Sequence, residues 1–246
     1  MSTYSLMNIG ASALTASQAA LTTAGHNIAN VNTAGYSRQQ VIQTAREGQF
    51  SGSGFVGRGV DVTTVQRTRD GFLNTNAQQA TALSSADAIR ADKLSQLETL
   101  FPVGESGLGA ATASLFSAFS DMQSVPNDTT SRTAVLARAD ELAARFQSTA
   151  NQISSIQTGI NEQMTSDVTQ INSLAKSIAT VNQQIFQYRG TDHTPNDLLD
   201  KRDQLVRDLN KLVQTTTIPA ADGTLGVFIA GGHPLVLGPE VSQLKL

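Results

Sequence analysis

LAARFQSTANQISSIQTGINEQMTSDVTQINSLAKSIATVNQQIFQY, residues 142–188, decides the fold. Leu142, Phe146, Ala150, Ile153, Ile156, Ile160, Met164, Val168, Ile171, Leu174, Ile178, Val181, Ile185 and Tyr188 succeed one another at spacings of three or four. That period belongs to an α-helix with one narrow apolar stripe. The spacing predicts one helix from Thr130 to Tyr188, ~88 Å long at 1.5 Å per residue. Gly159 is its one weak point, at about 1 kcal/mol relative to Ala. A helix this long needs an antiparallel neighbour, and two segments offer one. Residues 68–100 repeat Phe72, Leu73, Leu83, Ile89, Leu94, Leu97 and Leu100, ended by Phe101-Pro102. A shorter helix is expected over 108–125.

PNDLLDKRDQLVRDLNKLV, residues 195–213, offers the second neighbour. Thr194 reads as its N-cap and Pro195 as its first helical position, with Asp197 in the first turn. Leu198, Leu199, Leu205, Leu209 and Leu212 are the expected buried stripe. Asp200, Lys201, Arg202, Asp203, Arg207, Asp208 and Lys211 read as a solvated face with local ion pairs. Beyond Val213 the pattern turns to short β segments, with turns at Asp222-Gly223 and Gly231-Gly232.

The N-terminus differs in kind. Residues 1–37 contain no Asp, Glu, Lys or Arg; Arg38 is the first charge. Met7, Leu14, Leu21 and Ile28 recur every seven residues, and Gly10, Ser17, Ala24 and Val31 do so three positions later. This is a heptad seam with small residues at one set of positions. The opposite face is polar and uncharged, whereas a solvated helix normally carries charge there. Two readings stay open: a helix buried in one globular core, or a helix covered by partner helices and neighbouring subunits. Asn30, Asn32 and Gly35 then supply turn chemistry. From Arg38 to Gln66 the alternation is extended, interrupted by a Gly/Ser-rich loop. Gly52, Gly54 and Gly57 fit a dinucleotide-binding spacing, but an extended segment rather than a helix follows, and no acidic residue stands at the required distance. An irregular hairpin is the better reading.

Composition narrows the function. The chain has 246 residues, 15% charged and 5% aromatic, with no Trp, no Cys and a net charge of −3. Disulfides, thiolate metal sites and cysteine nucleophiles are excluded. Net charge gives no case for nucleic acid or an anionic membrane. No apolar run approaches the roughly 20 residues that span a bilayer, and the N-terminus lacks the basic region of a cleaved signal peptide. His26, His193 and His233 are scattered, and no nucleophile elbow, phosphate loop or acidic Ca²⁺ loop is present. No catalytic, cofactor or metal residues are assigned.

ALTTAGHNIANVNTAGYSRQ, residues 20–39, resembles the N-terminal motif of bacterial flagellar rod, hook and hook-associated proteins. Its core falls on Asn27, Ile28, Ala29, Asn30, Thr33, Gly35 and Tyr36. The continuation through Ser37, Arg38 and Gln39, the segment Gly57–Leu73 and the helix at 195–213 are similar to the hook-associated protein 1 family. The resemblance implies a mainly α protein in four parts. These are an inner-tube helix (1–37, disordered before assembly), an extended connector (38–67), a long helical bundle (68–213) and the start of a β domain (214–246). It implies a non-enzymatic, extracellular structural adaptor at the hook–filament junction, exported by the flagellar type III route. The expected assembly seam is Met7, Gly10, Leu14, Ser17, Leu21, Ala24, Ile28 and Val31. The expected motif turn is Asn27, Asn30, Thr33, Gly35, Tyr36 and Arg38. Implied partners are further copies in a ring, the hook protein on one side, a second junction protein of the hook-associated protein 3 type on the other, and an export chaperone acting through a C-terminal region beyond residue 246. Members of the family are roughly twice this length, so the chain is expected to be an N-terminal piece. Alternatives are a hook or rod subunit, a flagellum-mounted enzyme or adhesin with its activity beyond residue 246, and a coiled-coil scaffold unrelated to flagella.

Overall fold

The computed structural model describes residues 3–52, 54–190 and 194–246; His193 and Ser53 lie outside them. The chain is mainly α, with long helices and small antiparallel sheets. Helix α1 (Thr3–Ala29) leads into strand β1 (Gln39–Ala45), the short pair β2 (Gln49–Phe50) and β3 (Phe55–Val56), and strand β4 (Val60–Arg67). Helices α2 (Gly71–Leu100), α3 (Leu108–Ser124), α4 (Thr129–Gln187) and α5 (Asn196–Asn210) follow. Strands β5 (Thr216–Pro219), β6 (Leu225–Ile229), β7 (His233–Leu237) and β8 (Glu240–Val241) form an antiparallel meander in that order.

The chain folds as two compact units. The first holds the residues up to Leu83 and Gln170–Lys245, and the second is essentially Ser84–Thr169. The expected segment boundaries at 37, 67 and 213 all fall inside the first.

In the first unit, β1 and β4 form a two-stranded antiparallel ribbon, Gln39 opposite Arg67 and Ala45 opposite Val60, with an irregularity between Ile42 and Gln43. α1 lies on this ribbon through Ser12 and Ala16, both buried, with half-buried Ala19, Thr23 and Asn27 continuing the same face. The core lies elsewhere in the unit. Ile171, Ala175, Ile178 and Ala179 of α4, Val206 and Leu209 of α5, Val227 of β6, and Leu235 and Val236 of β7 bury against one another. Full burial of each large side chain contributes about 1.5–3 kcal/mol. The C-terminal strands thus share one core with α4 and α5. Buried Asn182 fixes their register: its amide donates to the carbonyls of Leu225 and Gly238 and accepts from the Leu225 N–H.

In the second unit, Asp128 caps α4 by accepting from the Ser131 N–H at 3.0 Å. Arg145 pairs with Glu141 and donates to the carbonyls of Glu105, Ser106 and Gly107, stapling the loop before α3. Ala111, Ala118 and Val135 are buried here, while Phe116, Phe119 and Phe146 are exposed. The stripe that predicts α4 is therefore deeply buried only from Ile171 onward.

Two readings of α5 are corrected. The helix begins at Asn196, with Pro195 at the N-cap position and no side-chain cap, so Thr194 does not cap it. Asp200, Arg202 and Asp203 are buried rather than solvated. Asn196, Asp200, Asp203, Val206 and Asn210 repeat at three or four and share the inward face.

Candidate assembly surface and the clamp behind it

The seam of α1 points away from the ribbon. Ser12 and Leu14 are about 200° apart around the helix, so covering one face leaves the other bare. Met7, Leu14, Leu21, Ile28 and Val31 are each between 72% and 75% exposed, and Gly10, Ser17 and Ala24 between them are exposed too. Scattered exposed apolar residues are ordinary, but a heptad ladder of large side chains on an uncharged helix is a contact surface.

Behind that ladder, the motif turn is clamped to the ribbon and to α5. Asn30 stops the helix: its amide and its backbone N–H both donate to the His26 carbonyl, and its own Oδ1 accepts from the Thr33 hydroxyl. Gly35 carries φ +86°, the left-handed region that disfavours a side chain. A Cβ there would sit 2.9 Å from Arg207 Nη2 and Gln204 Oε1 on α5. Gly35 thus serves both the turn and the close approach.

Asn27 performs the central join. Its Nδ2 donates to the Gln39 carbonyl at 2.9 Å and its Oδ1 accepts from the Gln39 N–H at 2.8 Å. A side-chain amide so replaces a ladder partner at the start of β1. The same Oδ1 accepts from the Tyr36 hydroxyl at 2.6 Å. The Tyr36 ring meets His26 edge-on at 5.5 Å. Burial, and then the charges of Asp197 and Asp200, push the Tyr36 phenol up, so it stays a hydrogen-bond donor. Arg38 is exposed, and only its carbonyl joins the structure, accepting from the Thr68 N–H.

A buried ionic cluster holds the join to α5. Arg67, from the end of β4, donates to Asp200 Oδ1 at 2.7 Å and Asp203 Oδ2 at 2.9 Å. Asp203 also pairs with Arg69 at 3.0 Å, and Asp200 Oδ2 accepts from the Ser37 N–H at 2.9 Å. Gln39 reaches Asp197, and Asn196 donates to the Val65 carbonyl at 2.7 Å. Arg202 turns the other way, to Asn182 and the Gly223 carbonyl. Burial pushes its guanidinium down to about 10.

Asn27, Asn30, Gly35 and Tyr36 therefore act together in one turn, and the seam residues lie together on one bare face. Sequence reading missed Arg67, Gln39, Asn196, Asp200 and Asp203. Their signal was available in part, because the acidic residues keep the period of Val206 and Asn210. Among the described residues, no group of three or more His, Asp or Glu side chains is placed to hold a metal, and no helix is long and apolar enough to cross a membrane. Exposed α1 packing surface on a polar clamp can bind and orient a partner; its chemistry is that of contact.

Known proteins share this arrangement. The profile described as "Flagellar hook-associated protein FlgK helical domain" matches residues 94–246, and "Flagella basal body rod protein" matches residues 7–36. Flagellar hook-associated protein 1 of Salmonella typhimurium is 36% identical over 242 residues, covering 98% of this chain and 44% of that protein. The Escherichia coli protein of the same name is 34% identical over the same shares, and that of Bacillus subtilis 28% identical over 99% of this chain and 53% of its own. The chain thus spans about half the length of these relatives. The structure titled "The structure of the flagellar hook junction protein FlgK from Burkholderia pseudomallei" superposes with a TM-score of 0.61 at 29% identity, over 70% of this chain and 30% of that one. The chain belongs to the FlgK family of flagellar hook-associated proteins.

Proposed function

We propose that this protein is a structural adaptor of the bacterial flagellum that forms the hook–filament junction and allows the filament to assemble. One observation carries the reading: an uncharged helix presents a continuous apolar seam while a dense polar clamp fixes its exit. Isolated in water, that seam has no use; in a ring of copies it is covered. The work is packing, not catalysis. The hook protein on one side and a second junction protein on the other are the partners this role requires. Export through the flagellar channel and an extracellular position follow from the same role. The missing charge over residues 1–37 and the lack of cysteine suit passage as an unfolded chain.

Deleting the gene in its host tests the reading. Electron microscopy of the cells and an immunoblot of flagellin in the medium are the readouts. Bare hooks with shed flagellin monomers are expected. Loss of the hook as well would move the protein to the rod or hook; normal filaments and swimming would overturn the assignment.

A further inference from the structure

The junction role leaves one surface of the first unit unused. The loop between β1 and β4 ends in the pair β2–β3, where Phe50 faces Phe55. Their rings meet edge-on at 5.5 Å, yet Phe50 is 62% and Phe55 79% exposed. Residues 48–57 carry no charge, and Arg46 at the base is already paired with Asp61. Two aromatic rings held at the tip of a Gly/Ser hairpin form a knob, and aromatic side chains are the usual anchors of protein interfaces.

The ribbon's course says what the knob can reach. It leaves α1 at Ser12 and Ile9. The Val60 N–H lies 3.4 Å from Ser12 Oγ, and a Cβ on Gly59 would overlap Ser12 Oγ and approach Ile9 Cα at 3.4 Å. The hairpin therefore continues toward the N-terminal end of α1, on the ribbon's side of the helix. Leu6, Met7 and Gly10 sit at that end but on the side turned away from Ser12, and both large residues are exposed. Nothing lies within 4 Å of a Cβ built on Gly10, so a shallow socket stands open beside Met7. The knob cannot close around its own helix onto this socket. An identical neighbour at the same level presents the same socket, equally apolar and equally free of charge.

We infer that Phe50 and Phe55 of one copy dock on Leu6, Met7 and Gly10 of an adjacent copy. The contact is heterologous, one surface meeting a different one, so it propagates around a closed ring. The inference rests on the junction reading.

The test uses the full-length protein, carrying the photo-crosslinker p-benzoylphenylalanine at Phe55, in cells lacking the native copy. Hook–basal bodies are purified, irradiated and blotted. The expected product is a dimer whose mass spectrum joins the hairpin to the tryptic peptide 1–38, a single peptide because Arg38 is the first basic residue. Phe50→Ser with Phe55→Ser, both at exposed positions, should leave the melting temperature unchanged and lower incorporation about tenfold, the scale of losing an aromatic anchor. Protein absent from purified structures even without substitution would overturn the junction reading and this contact together. Protein present but joined to another flagellar component, joined outside residues 1–38, or not joined at all would overturn the contact alone.

Discussion

The Asn27 carboxamide pairs with both the N–H and the carbonyl of Gln39, twelve residues on, while holding the Tyr36 hydroxyl on the same oxygen. One side chain thus ends a helix, starts a strand and locks the turn between them. Asn27→Ala removes partners from three groups and should cost about 1–3 kcal/mol, because unmade bonds of partly buried groups carry their desolvation cost. Asn27→Asp keeps the acceptor but loses the donor, so it should fall between. Urea unfolding checks the order. Equal stability of all three proteins would show that the amide is not the join.

Gly35→Ala places a methyl group in a left-handed conformation and against Arg207 and Gln204. A loss of about 1–3 kcal/mol is expected from backbone strain and crowding. Gly109→Ala, in the helical interior of α3 with open space around it, should be neutral or stabilising. Thermal melts of the two variants should therefore move in opposite directions or differ by several degrees.

Arg67→Met strands two buried carboxylates. Breaking one side of a buried ionic cluster costs about 3–5 kcal/mol, whereas neutralising both sides costs far less. Arg67→Met combined with Asp200→Asn and Asp203→Asn should recover part of the lost stability. A triple variant less stable than the single one would contradict the pairing.

Acid should unfold the protein through identified groups. Hydrogen bonds from Arg46 hold Asp61 below its ordinary 3.8, those from Ser131 hold Asp128 below 3.8, those from Arg145 and Arg138 hold Glu141 below 4.5, and those from Thr224 hold Asp222 below 3.8. A carboxylate depressed in the folded state stabilises above its unfolded value and ceases to as pH falls through its folded one. The melting temperature should be level from about pH 6 to 8 and fall below about pH 4. Asp61→Asn and Asp128→Asn together should flatten that fall.

What was legible in the sequence was periodic. α4 is readable because its stripe never breaks, and the exposed seam because seven-residue spacing survives without a partner. The buried charges of α5 were misread because their partners are remote. Arg67 lies 133 residues from Asp200, and nothing local distinguishes a carboxylate awaiting a distant guanidinium from a solvated one. Asn27 was legible as a motif position but not as a surrogate strand partner, since that role depends on where β1 starts.

The seam itself gives the most direct test. Leu14→Glu with Leu21→Glu alters two exposed side chains on the bare face of α1, so the melting temperature of the purified protein should change little. In a strain lacking the native copy, the full-length variant should be exported yet leave hooks without filaments and flagellin in the medium, as electron microscopy and an immunoblot would record. Full-length filaments on normal hooks would contradict the account, because the seam would then be dispensable for assembly.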